Sequence, residues 1–141
     1  MSKTKAIILV VVLAAITFAL SPVLWPSPVG GMQPSASQLP WLMFISAIES
    51  VSFGIGVWFL IEGRKLLSAE LNVSKKLATW TYVSIIWTLV SWWPHDNFHR
   101  ANGGMNIQAL IYIEYAFHLT LIISAIIIAK FFLKALNQKQ S

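Results

Sequence analysis

Cysteine is absent from this chain. Disulfides, thiolate metal sites, iron–sulfur ligation and covalent haem attachment through Cys-x-x-Cys-His are therefore excluded, and metal chemistry has to use imidazole and carboxylate groups. Charge is nearly as scarce. Only 11% of the 141 residues are Asp, Glu, Lys or Arg, against about a quarter in a soluble globule. With 57% of its residues hydrophobic, the chain has too few charges to coat a surface facing water. A bilayer is the solvent this composition suits. No internal repeat or low-complexity tract suggests an array or a disordered tail.

What the sequence does contain is long apolar runs, at residues 6–25, 41–61, 77–93 and 107–129. Each approaches the roughly 20 residues needed to cross about 30 Å of hydrocarbon as a helix. Helices are required because lipid offers no partner to an unpaired backbone N–H or C=O. The expected fold is an all-α integral membrane protein, with four transmembrane helices in one compact bundle and a single domain spanning residues 1–141. Nine of the ten basic residues fall before the first run, between the second and third, or after the fourth; Arg100 is the exception. Positive-inside bias then puts both termini and the 62–76 loop in the cytoplasm, with 26–40 and 94–106 on the other side. The net charge of +5 is accounted for by topology, and nucleic acid is not an expected partner. The run after MSKTK also has the form of a signal peptide. It is expected to stay as a span, because Pro22 follows Ser21 where a small-residue cleavage site would be needed.

Between the first two runs, a proline-rich connector without charge is expected to lie as a cover over the outer face. Trp25, Trp41, Trp92 and Trp93 fall at the outer boundary, where aromatic side chains anchor spans in the interface. Gly54 and Gly56 are expected to let neighbouring helices approach closely. Three of the runs carry a polar stripe at helical spacing: Ser46, Glu49 and Ser50 in the second, Thr81, Ser84, Thr88 and Ser91 in the third, Glu114 and His118 in the fourth.

One stretch, WWPHDNFHRANGG at residues 92–104, holds two of the three histidines, an aspartate and Arg100. Pro94 suits a helix start, Asp96 would complement the helix dipole, and Asn102-Gly103 would stop a short helix. His95 and His99 would then share a face. Counting 1.5 Å per residue from the outer ends, Glu49 lies about 12 Å deep, Glu114 about 10 Å and His118 about 16 Å, directly beneath this stretch. Ionised groups in hydrocarbon cost at least about 2.5–3.5 kcal/mol each, so such a gathering needs a compensating partner.

The expected partner is a transition metal. Imidazole with carboxylate suits Cu, Zn, Fe or Mn. His118, Glu114 and Glu49 are the expected deep ligands, His95 and His99 the upper ones, with Asp96, Ser46, Ser50, Ser84, Thr88 and Ser91 in support. Haem fits less well, because only His118 is embedded in a run. The same residues also suit a proton relay or a quinone-type ligand site, with His118 as the group that changes charge. A third reading is an accessory subunit of a membrane complex, in which buried Glu and His are only hydrogen-bonded. The expected partners are lipid together with other membrane subunits or a second copy. A Ser-His-Asp hydrolase lacks any nucleophile elbow here.

Overall fold

The computed structural model of the chain describes residues 1–27, 34–68, 73–102 and 107–140. Parts of the expected connectors lie outside the described residues: 28–33 in the proline-rich cover, 69–72 with Glu70 in the basic loop, and 103–106 with the Gly103 stop signal.

Among the described residues five helices follow one another: α1 (Lys3–Leu24), α2 (Leu39–Ser68), α3 (Lys75–Val90), α4 (Trp92–Asn102) and α5 (Ile107–Gln140). There is no strand among the described residues. Among the described residues three helices, over Lys3–Leu24, Leu39–Leu67 and Ile111–Asn137, are long and apolar enough to cross a membrane. α3 has 16 residues, about 24 Å, which falls short of the hydrocarbon thickness. It does not end cleanly. Ser91 keeps right-handed helical dihedrals, its N–H donates to Trp87 O at 3.0 Å, and His95 N–H donates to Ser91 O at 3.2 Å. Pro94 has no N–H to give the Val90 carbonyl, so the ladder breaks at this joint and restarts as α4.

α2 and α5 run well beyond the apolar stretches that mark them in the sequence. Hydrophobicity sets where a helix can meet lipid, but the backbone ladder continues as long as residues such as Leu, Lys, Arg and Ala favour it. The 62–76 segment is therefore helical as far as Ser68.

The principal packing runs along the chain: α1 on α2, α2 on α3, α3 on α5, with α4 against α2 and α3. The seams are narrow and made of small or hydroxyl side chains. α1 buries Ala14, Thr17 and Ser21, spaced three and four apart. α5 buries Phe117, Ser124 and Phe131 at sevenfold spacing, and Ala135 one turn on. A Cβ on Gly54 would sit 2.7 Å from Val10 O, and one on Gly56 would run into Val90 and Leu89, so the glycines set the approach of α1 and α3 to α2. Thr17, Ser21, Ser50, Thr81 and Thr88 each donate to the carbonyl four residues back, at 2.8–2.9 Å. They fill the seams without needing a partner across them. Aliphatic side chains such as Ile7, Val11, Leu119 and Ile126 face outward. Small polar seams with greasy exteriors reverse the pattern of a soluble protein and match packing in lipid.

Trp93 departs from the expected interfacial belt. Trp41 is 69% exposed and Trp92 37%, whereas Trp93 is 9% exposed. Its Nε1 donates to Ser21 Oγ at 2.8 Å, with Trp25 edge-on at 5.0 Å and Phe53 at 4.9 Å between ring centres. One indole thus fixes the start of α4 against α1 and α2.

Candidate metal centre

α4 is short and amphipathic, and its register decides the site. Residues four apart differ by about 40° around a helix and adjacent ones by about 100°. His95 and His99 therefore form one stripe, Asp96 and Arg100 another. The first stripe faces α5. His95 stacks on Phe117 with ring centres 3.7 Å apart and planes 13° from parallel, and its ring lies 4.5 Å from that of His99.

Glu114, about two turns into α5, meets both imidazoles with one oxygen. Its Oε1 lies 2.8 Å from His99 Nε2 and 3.8 Å from His95 Nε2. One ligand atom from each of His95, His99 and Glu114 falls within 4.8 Å of the others, close enough to hold a metal ion. Donors around a first-row metal at about 2.1 Å stand about 3.0–3.4 Å apart, a value that the two contacts bracket. The 2.8 Å approach is within hydrogen-bond distance, yet His99 Nε2 is a buried nitrogen without a hydrogen-bond partner. Proximity without N–H alignment is what two lone-pair donors show when aimed at a common point. Burial first, and the neighbouring His99 second, lower the pKa of His95, so its ring stays neutral at pH 7 and keeps a lone pair for a metal.

The other expected ligands are placed differently. His118 lies one turn further along α5, with its side chain 55% exposed; its Nδ1 is 3.2 Å from the second oxygen of Glu114, and its ring centre is 6.2 Å from His95. Glu49 is buried at 7% exposure on α2 and faces the side chain of Asp96, with Arg100 near. Asp96 thus faces α2 from the fifth position of α4 instead of complementing the helix start. Arg100 donates to Asn97 Oδ1 at 2.5 Å, and Asn97 donates to Trp93 O at 2.6 Å.

Among the expected supporting residues, Ser50, Ser84 and Ser91 are buried, while Ser46 and Thr88 are partly exposed. Ser50 and Thr88 close onto their own helices. Ser91 Oγ is buried and unpartnered. Sequence reading passed over Phe117, whose ring backs His95. Its sevenfold spacing with Ser124 and Phe131 was the available signal.

The arrangement supplies two imidazoles and one carboxylate, and no fourth His, Cys, Asp or Glu joins the group among the described residues. The chain matches no protein-family model, no curated protein and no solved structure, so the geometry alone carries the functional reading.

Proposed function

We propose that this protein binds a divalent transition metal through His95, His99 and Glu114, at the end of the membrane domain where the histidines of α4 meet α5. The observation that carries the reading is the convergence of three ligand atoms within 4.8 Å, one of them a buried ring nitrogen without a hydrogen-bond partner. Two histidines and one carboxylate with open positions is the ligand pattern of non-haem ferrous iron, and zinc accepts it too. His118 supports the set by holding the far oxygen of Glu114, as carboxylate–imidazole pairs around metals commonly do. Glu49 enters as the brace that keeps α4 in register. The distribution of basic residues supports an extracytoplasmic position for this end. Less than a quarter of each candidate span is buried within the chain, which leaves surface for lipid, for other membrane subunits or for a second copy.

The test is titration of the detergent-purified protein with Co²⁺, followed by its visible ligand-field bands. Wild type is expected to saturate at one ion per chain with low-symmetry bands, and His99→Ala is expected to lose them. Equal spectra from both proteins would overturn the assignment.

A second reading rests on the same carboxylate. Glu114 touches three imidazoles, at 2.8, 3.2 and 3.8 Å, and one protonated ring could neutralise it without any metal. The protein would then be an accessory subunit whose polar corner only holds α4 to α5. Cobalt bands would end that reading.

A further inference from the structure

α5 carries two stripes of sevenfold spacing. Phe117, Ser124 and Phe131 are buried and mark the face turned toward α3, the helix on which α5 chiefly packs. One residue on from each, His118, Ala125 and Phe132 lie about 100° further round the helix. Ile122, Ala129 and Leu136, each four residues beyond one of these, complete the second stripe, and all six side chains are exposed. Alternating steps of four and three residues are the spacing of a seam between two helices.

Long aliphatic side chains alone would make this stripe a surface for lipid, but its composition is different. His118 stands about two turns inside the candidate span Ile111–Asn137. Its Nδ1 lies 3.2 Å from Glu114 Oε2, yet its side chain is 55% exposed. Ionisable groups within spans face another protein surface or a water-filled cavity, because hydrocarbon leaves them unpaired. Two and three turns further on, Ala125 and Ala129 leave the backbone of α5 within reach of a neighbour. The chain joins its own helices in the same way, with Ala14, Thr17 and Ser21 on α1 and Gly54 and Gly56 on α2.

We propose that this stripe is the contact between two copies of the chain, with α5 against α5, parallel and in register. Copies inserted the same way round present parallel helices, and a two-fold axis along the seam sets His118 against His118, Ala125 against Ala125 and Ala129 against Ala129. The imidazole selects this partner. It is able to donate or to accept, so two of them satisfy each other, one ring donating and the other accepting. A lipid chain offers it neither. The alanines let the two helix axes come close enough for that bond. The inference goes beyond the metal reading and does not rest on it.

The absence of cysteine from the chain makes the test direct. Single cysteines are placed in the full chain, on the stripe as Ile122→Cys, Ala125→Cys or Ala129→Cys, and at exposed positions off it as Ile123→Cys or Ile126→Cys. Each variant is reconstituted in vesicles at a low ratio of protein to lipid and oxidised with diamide. Because a disulfide needs its two Cβ atoms close together, the stripe positions should cross-link at least about ten-fold more than the others. His118→Leu should weaken association, read by energy transfer between labelled chains, about three-fold, the size of one hydrogen bond between helices in a membrane. Ala125→Phe should abolish it with helical circular dichroism unchanged. Monomeric wild type would overturn the inference and leave the metal centre in place. Equal cross-linking at all five positions, or association that neither His118→Leu nor Ala125→Phe alters, would overturn it as well.

Discussion

Glu49 and Glu114 are both carboxylates set within long apolar helices, and α4 lies against each of them. On the α5 side, Glu114 meets the stripe of His95 and His99, with Phe117 behind the rings. On the α2 side, Glu49 meets the stripe of Asp96, with Arg100 near. The first corner gathers lone pairs that nothing within the chain fully uses. The second sets two carboxyl groups face to face with a cation near, all from within the chain. A shift of about 100° around one short helix separates a corner able to take a ligand from one that mainly holds the helix in place.

Removing the frame common to both corners should have the largest effect. Trp93→Ala deletes an indole packed between α1, α2 and α4, and is expected to cost about 3–5 kcal/mol. Thermal unfolding in detergent should show the loss, and both corners should fail together. Next comes the ligand corner alone. Glu114→Gln or His99→Ala is expected to weaken metal binding at least about 100-fold, beyond the 10–100-fold typical of residues that only support ligands, with little change in unfolding. Calorimetric titration with Zn²⁺ reads this directly.

Acid should act on the same side, more mildly. In the unfolded chain His95 takes up its proton near the ordinary value of 6.5, whereas in the fold its pKa is lowered. The folded state therefore keeps its full stability above pH 6.5 and loses this part as pH falls through 6.5 toward the lowered value. Unfolding measured from pH 7.5 down to 5 should show that slope in wild type and less of it in His95→Gln. The smallest effect is expected at the other corner. Glu49→Gln keeps the side chain's shape and polarity beside Asp96 and should change metal affinity by less than about three-fold. An emptied site in that variant would make Glu49 a ligand and erase the contrast between the two corners.

Much of the helical layout was legible in the sequence. Four long apolar runs far exceed any soluble pattern, and the spacing of Gly54 and Gly56 announces close packing that the fold uses. The i, i+4 pairing of His95 with His99, and of Glu114 with His118, follows from helix geometry alone. What could not be read is which stripe of α4 faces which neighbour. Counting depth along the chain puts Glu49, Glu114 and His118 at similar levels, but depth carries no information about azimuth. Whether Glu49 meets an imidazole or Asp96 depends on how α4 is rotated, and that rotation is set by Trp93 docking on Ser21, a contact across 72 positions. The burial of Trp93 was hidden for the same reason, since its place beside Trp92 reads as interfacial. Helix ends were also obscured, because Leu39–Ser68 and Ile107–Gln140 continue past the point where hydrophobicity fades.

The most direct test of the metal assignment is elemental analysis of protein purified without chelator, with wild type, His99→Ala and Glu49→Gln side by side. One metal per chain in wild type and Glu49→Gln, and none in His99→Ala, is the result the geometry predicts. Metal-free wild type, or equal metal in all three, would contradict it.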